Sequence, residues 1–226
     1  MVAATMNIEK ARFNMIEQQI RPWQVLDPTV LSLLSLVKRE DFVPAAYKDL
    51  AFADLEIPIG ASGNANQKML APKIEARMLQ ELGVRNTDTV LEIGTGSGYM
   101  AALLAAKAEY VYSVEIDPVL AETATSNLQR AGVANVRVET GDGAQGWPAR
   151  APYDAIMISA SSPVLPDAIL RQLKIGGRLV AIVGEAPAMQ VRLVTRTEEN
   201  AFNTINIFET VIAPLTNATQ SDRFVF

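Results

Sequence analysis

The sequence predicts an open α/β fold, in which a doubly wound, mostly parallel sheet follows a helical N-terminal segment and ends in an antiparallel hairpin. Three observations predict it. From Gly83 onward, short β-rich runs alternate with helical stretches, the pattern of consecutive βαβ units. The first of these runs, residues 89–93, passes directly into the glycine-rich turn Gly94-Thr95-Gly96-Ser97-Gly98. The alternation then stops: residues 190–198 and 202–214 are two β-rich runs around the turn Glu199-Asn200-Ala201, which reads as a hairpin.

Composition bounds what such a chain can be. At 226 residues with 49% apolar content it can bury a sizeable core, and its length suits one main domain with an accessory segment. The expected division is a helical N-terminal segment with a substrate-side loop at 1–83 and a ligand-binding domain at 84–226, forming one compact unit. Lysine and arginine total 20 against 25 acidic residues, a net charge of -5, so a nucleic-acid partner is disfavoured for want of a basic footprint. No apolar run approaches the ~20 residues that cross a bilayer, and no secretory signal pattern opens the chain. The expectation is a cytoplasmic protein without a membrane partner. Cysteine and histidine are both absent, which removes disulfides, thiolate chemistry, imidazole bases and the usual zinc sites. No metal site is expected.

The N-terminal elements follow from periodicity and caps. Ile8, Phe13, Ile16 and Ile20 fall near one helical face before Arg21-Pro22 interrupts it. Asp27-Pro28 offers an N-cap with proline in the first turn, opening a helix that carries Val30, Leu31, Leu33, Leu34, Leu36 and Val37. Residues 61–67 (ASGNANQ) read as an exposed loop, and Pro72 opens a helix with the stripe Ile74, Met78, Leu79 and Leu82 that Gly83 ends. Beyond Gly83, strands are expected at 89–93, 110–115, 136–140, 155–159 and 178–183. Helices are expected at 99–107, 118–131 and 166–172, the last closed by Lys174 and Gly176-Gly177.

In open α/β sheets the ligand lies beyond the carboxyl ends of the strands. The turn after the first strand, Glu92-Ile93-Gly94-Thr95-Gly96-Ser97-Gly98, has G-x-G-x-G spacing and then the bulky Tyr99. A dinucleotide fold asks for G-x-G-x-x-G, so the turn suits a compact nucleoside with an amino-acid tail rather than a pyrophosphate. Glu115 ends the second strand about 20 residues on, where an acidic side chain accepts from ribose hydroxyls. Asp142 sits after the third strand, placed to accept from an adenine amino group, and Gly143 leaves room for the base. Asp117-Pro118 starts the next helix and stands on the ribose side. Ser159 to Ser162 follow the fourth strand and border the reacting centre, or else form a polar turn.

These residues resemble the first motif of class I S-adenosylmethionine-dependent methyltransferases. VKREDFVP (37–44), IPIG (57–60), EIGTGSGY and GDGAQGWPARAPYDAI (141–156) are similar to the protein-L-isoaspartate O-methyltransferase family over about residues 13–214. The resemblance implies a seven-stranded sheet with a helical N-terminal addition, S-adenosyl-L-methionine as methyl donor, and methylation of isoaspartyl residues in damaged proteins for repair. It implies cofactor contacts at Glu92, Gly94, Thr95, Gly96, Ser97, Gly98, Glu115, Asp142 and Gly143. One block departs: the family's active-site threonine falls on Lys68 and its serine on Leu70, and Ser62 in the preceding loop is a hydroxyl that reaches the site only if the loop folds back. Lys68 and Ser159 are therefore the catalytic candidates. A small-molecule acceptor near Met69 and Leu70, or a cofactor-binding protein without catalysis, stands as the alternative.

Overall fold

The computed structural model describes residues 7–60 and 64–220; Ser62 lies outside them. The chain opens with α1 (Ile8–Asn14), whose N-cap Asn7 accepts from the Lys10 N–H, and runs on through a π-helical turn at Met15–Ile20. The stripe expected here is corrected at two positions. Ile16 and Ile20 are buried, but Ile8 and Phe13 are exposed, Phe13 by 62%, and Arg12 and Met15 take the inward positions. Arg12 goes inside because buried Glu40 receives its guanidinium, and the wider π turn shifts the spacing of inward residues.

Next comes α2 (Pro28–Leu36), capped by the Asp27 carboxylate on the Thr29 N–H at 2.8 Å. It stops one residue before Val37, and Leu36 is exposed rather than part of the apolar face. Two short strands, β1 (Ile57–Pro58) and β2 (Lys68–Met69), pair antiparallel and make the expected loop the tip of a small hairpin. Helix α3 (Pro72–Leu82) buries Ile74, Met78, Leu79 and Leu82 and ends on Gly83 at φ +58°, as the stripe and its glycine stop require.

The sheet has seven strands: β3 (Thr89–Ile93), β4 (Tyr110–Glu115), β5 (Val136–Thr140), β6 (Tyr153–Ser162), β7 (Leu173–Glu185), β8 (Ala188–Glu198) and β9 (Ala201–Glu209). Their order is β5-β4-β3-β6-β7-β8-β9, parallel through β7 and antiparallel for the last two. Helices α4 (Tyr99–Ala105), α5 (Pro118–Arg130) and α6 (Asp167–Leu170) connect the parallel strands. The strand order reverses between β3 and β6, the switch point where such sheets open a crevice.

Several boundaries differ from the periodicity. Strand β6 continues through Ser162, so Ser159 to Ser162 form no polar turn. Ser161 donates its backbone N–H to Ala213 O and its hydroxyl to Ile212 O, which gives the strand end a partner from the tail. The helix expected at 166–172 is only α6, because residues 173–177, including Gly176-Gly177, already belong to β7. Helix α4 ends two residues early, at Ala105. Strand β9 stops at Glu209, and residues 210–214 leave the hairpin to bridge Pro214 beside Ser161.

Alternation along β3 decides where the site's acid goes. Val90 packs with α3, α4 and the N-terminal elements, while Leu91 and Ile93 belong to the cluster on the opposite face. Glu92 shares the face of Val90 and is therefore wholly enclosed.

Candidate active site

The turn after β3 is closed onto the neighbouring strand, since the Gly94 and Thr95 N–H groups donate to Val114 O at 2.9 and 3.4 Å. This holds Gly94 at φ +90° and Gly96 at φ +55°, conformations that L side chains resist. A Cβ on Gly96 would also stand 3.1 Å from Ile59 Cδ1, so the backbone itself forms the wall here. Gly94 and Gly96 line a cleft that Glu115, Asp142, Gly143 and Ser159 also border.

Both strand-end acids reach that cleft. Glu115 accepts from the Gly96 N–H at 2.9 Å and from the Asp117 N–H at 3.1 Å, so it ties the glycine turn to the start of α5. Asp142 accepts from the Ala144 N–H at 2.9 Å and from Asn217 Nδ2 at 2.8 Å. A carboxylate has about four lone-pair sites, so each acid keeps capacity for a ligand after these bonds. Gly143 packs so closely over Ile93 that a Cβ would lie 2.7 Å from Ile93 Cγ2. Thr95 and Ser97 are buried and work within the scaffold: Thr95 Oγ1 bonds Ser113 Oγ at 2.5 Å, and Ser97 O accepts from Asn127 Nδ2 at 2.9 Å. Gly98 sits against Ala124 and Leu128 of α5.

Beneath the turn lies a narrow recess reaching Glu92, Tyr99 and Ser159. Glu92 accepts from Ser113 Oγ at 2.6 Å and from Ser159 Oγ at 3.1 Å. Burial pushes its pKa up to about 8; the two hydroxyls pull it down, and the Glu115 and Glu75 charges add to the rise.

β2 and the residues around it lie beside the cleft and the recess. Lys68 Nζ stands 3.0 Å from Glu56 at the cleft wall, while Met69 and Leu70 are buried in the apolar core. Gln67 donates to Asp117 Oδ2 at 2.6 Å and so spans from the β1–β2 hairpin to the N-cap of α5. Arg39, wholly buried, fixes this segment from behind. It donates to Leu70 O at 2.7 Å and Ala51 O at 3.0 Å, pairs with Glu75, and lies 5.1 Å over the Tyr99 ring.

The structure thus brings Gly94, Gly96, Glu115, Asp142, Gly143, Lys68 and Ser159 to one cleft, with Glu92, Thr95 and Ser97 lining the recess below it. Gly98 packs behind the turn against α5. The sequence reading missed the tail: Pro214, Leu215 and Thr216 line the cleft, and Asn217 holds Asp142. It also missed the Gln67 bridge, although Asp117 was a signal for it. Changing Glu115 to Ala removes one ligand acceptor and the anchors of Gly96 and Asp117. Calorimetry should find nucleoside binding weakened by roughly 10- to 100-fold, the worth of a hydrogen bond to a charged group.

Comparison with known proteins agrees with this geometry. The family model for protein-L-isoaspartate(D-aspartate) O-methyltransferase matches residues 10–220. A protein-L-isoaspartate O-methyltransferase from Rhodopseudomonas palustris is 42% identical over 205 residues, covering 90% of this chain and 92% of its own length. One from Methanoculleus marisnigri is 44% identical over 207 residues, 91% of both chains. A solved protein-L-isoaspartate O-methyltransferase superposes with a TM-score of 0.77 at 25% identity, covering 93% of this chain and 66% of that one. A candidate enzyme of the same name from Plasmodium falciparum, in complex with S-adenosyl-L-homocysteine, shares the fold with a TM-score of 0.76 at 18% identity, covering 94% and 99% of the two chains. The chain belongs to the protein-L-isoaspartate(D-aspartate) O-methyltransferase family.

Proposed function

We propose that this protein transfers the methyl group of S-adenosyl-L-methionine to the carboxylate of an isoaspartyl residue in a damaged protein. The observation that carries the donor half is the glycine wall at Gly94 and Gly96 flanked by Glu115 and Asp142 in one cleft. The residues fit the cofactor: a bare backbone for close approach, one carboxylate for ribose hydroxyls and a second for the adenine amino group, with Gly143 beside it. When bound, S-adenosylmethionine supplies an electrophilic sulfonium methyl.

The protein's own work is then positioning. An isoaspartyl carboxylate has a pKa near 4 and is ionised at pH 7, so it needs no base, in keeping with a chain without histidine. Lys68, paired with Glu56 at 3.0 Å, borders the cleft, and Ser159, 3.1 Å from Glu92, offers a hydroxyl at its floor. The β1–β2 hairpin, bridged by Gln67, and the tail at Pro214 and Leu215 narrow the access of water. The β1–β2 hairpin supplies much of the acceptor wall, and the turns after β3, β4 and β5 supply the cofactor wall.

Family membership over residues 10–220 favours the protein acceptor over a small molecule or a non-catalytic binder. Calorimetric titration tests the donor half. S-adenosylmethionine and S-adenosylhomocysteine should both bind and NAD should not; binding of NAD alone would sink the reading.

A further inference from the structure

The turn after β5 carries the acid placed to meet the cofactor's base, and its backbone is wedged on both sides. A Cβ on Gly141 would lie 2.7 Å from Trp147 Cη2, and one on Gly143 would lie 2.7 Å from Ile93 Cγ2. The Asp142 side chain itself is exposed, so packing does not fix the plane of its carboxylate. Hydrogen bonds do. Oδ1 accepts from the Ala144 N–H at 2.9 Å, within the turn, and Oδ2 accepts from Asn217 Nδ2 at 2.8 Å, from 75 residues along the chain. A carboxylate tied at one oxygen still turns about that bond. Tied at both, it keeps one plane and one direction for its remaining lone pairs.

Asn217 reaches Asp142 because the tail before it is already fixed. Leu215 donates its N–H to Ser161 O at 2.8 Å, at the end of β6, and the Ala218 N–H returns to Leu215 O at 3.2 Å. Asn217 sits in that turn at φ +60°, a left-handed conformation that asparagine tolerates better than most residues. Its amide must present an N–H to Asp142, since an ionised carboxylate only accepts. A second tie, Gln145 Nε2 to Thr219 Oγ1 at 2.9 Å, joins the same two segments without touching Asp142.

We propose that Asn217 is a positioning residue for base selection: by holding Asp142 Oδ2 it directs the carboxylate at the amino group of adenine and keeps it from following a different base. This rests on the reading of Asp142 as the adenine acceptor. A 6-oxo purine has a carbonyl where adenine has its amino group, and a ring N–H next to it. The carbonyl repels a carboxylate, while the ring N–H satisfies one that turns. Asp142 fixed at both oxygens meets the carbonyl; tied only through Ala144, it turns to the ring N–H. Rejecting the wrong base thus needs an acceptor that cannot rearrange, and the bond from the tail supplies that restraint.

Calorimetric Kd values for S-adenosylhomocysteine and S-inosylhomocysteine, its 6-oxo counterpart, test this on the intact protein without any methyl acceptor. The wild type should favour the adenosyl compound by roughly 10- to 100-fold, the worth of a hydrogen bond to a charged group. Asn217→Gly keeps the left-handed backbone and loses the amide. It should cut that ratio by roughly fivefold or more, part of the same hydrogen-bond worth, through weaker adenosyl and tighter inosyl binding. Gln145→Ala loosens the same tail and should leave the ratio at its wild-type value. An unchanged ratio in Asn217→Gly, with both compounds weakened equally or not at all, overturns the proposal. So does an equal fall in Gln145→Ala, which would make the position of the tail the cause. Asp142→Ala should abolish the preference altogether. A preference that survives in Asp142→Ala overturns the adenine reading of Asp142 and the inference with it, and a wild type that binds neither compound overturns the cofactor assignment beneath both.

Discussion

Replacing Arg39 with Ala should destabilise the protein by about 3–5 kcal/mol, the range for removing one partner of a buried ion pair. The guanidinium is wholly buried, and its removal strands three groups at once: the Glu75 carboxylate and the carbonyls of Ala51 and Leu70. Burial already pushes the Glu75 pKa upward against the pull of Arg39, so without Arg39 the acid must take up a proton or draw in water. Urea denaturation reads the loss. A double variant, Arg39→Met with Glu75→Met, should recover more than half of it, since replacing both partners with apolar groups of similar volume is often neutral. Because Arg39 also tethers the chain at Leu70, the folded fraction of Arg39→Ala should show a higher acceptor KM with little change in cofactor Kd. A stability loss below about 1 kcal/mol, the net worth of one ordinary hydrogen bond, would contradict this account of the N-terminal addition.

Glu92→Gln should stabilise the protein, and only at higher pH. The Glu92 pKa is about 8 in the fold against a reference value of 4.5. Below the reference value the carboxyl is protonated in both states and costs nothing. Between the two values the unfolded chain loses its proton while the folded one keeps it, so stability falls as pH rises through this window. Above the folded pKa the penalty is complete, on the order of 5 kcal/mol at 1.36 kcal/mol per pKa unit. Glutamine carries no such penalty. Thermal melts of the two proteins should therefore coincide near pH 4 and diverge up to about pH 8, the window set by those pKa values. A constant gap at every pH would mean that Glu92 keeps one protonation state throughout.

How far the sequence reaches is visible in these residues. The strands β3 and β4 stand where alternation put them, because short apolar runs between helical stretches have few other ways to bury both faces; β5, a sheet-edge strand with no buried residue, stands where its β-branched run put it. Gly94, Glu115, Asp142 and Gly143 could be read as one site because each follows a strand, and the fold gathers strand ends. Arg39 could not, since nothing local marks a charged residue as buried; its partners, Ala51, Leu70 and Glu75, lie 12 to 36 residues away. Thr216 and Asn217 escaped for a related reason. Thr216 enters the cleft and Asn217 reaches Asp142 because the chain leaves β9 at Glu209 and crosses back beside Ser161, a tertiary choice that residue spacing does not encode. Phe13 was misplaced because Arg12 competes for the same helical face and wins through its pairing with Glu40.

The acceptor is the central question, because Lys68 and Leu70 stand where the family's hydroxyl residues are expected. Labelled methyl transfer from S-adenosylmethionine to an isoaspartyl peptide, beside the same peptide with a normal aspartyl linkage, tests it most directly. The account predicts label on the isoaspartyl peptide and background on its aspartyl control. Background on both, from protein that binds the cofactor, would contradict it.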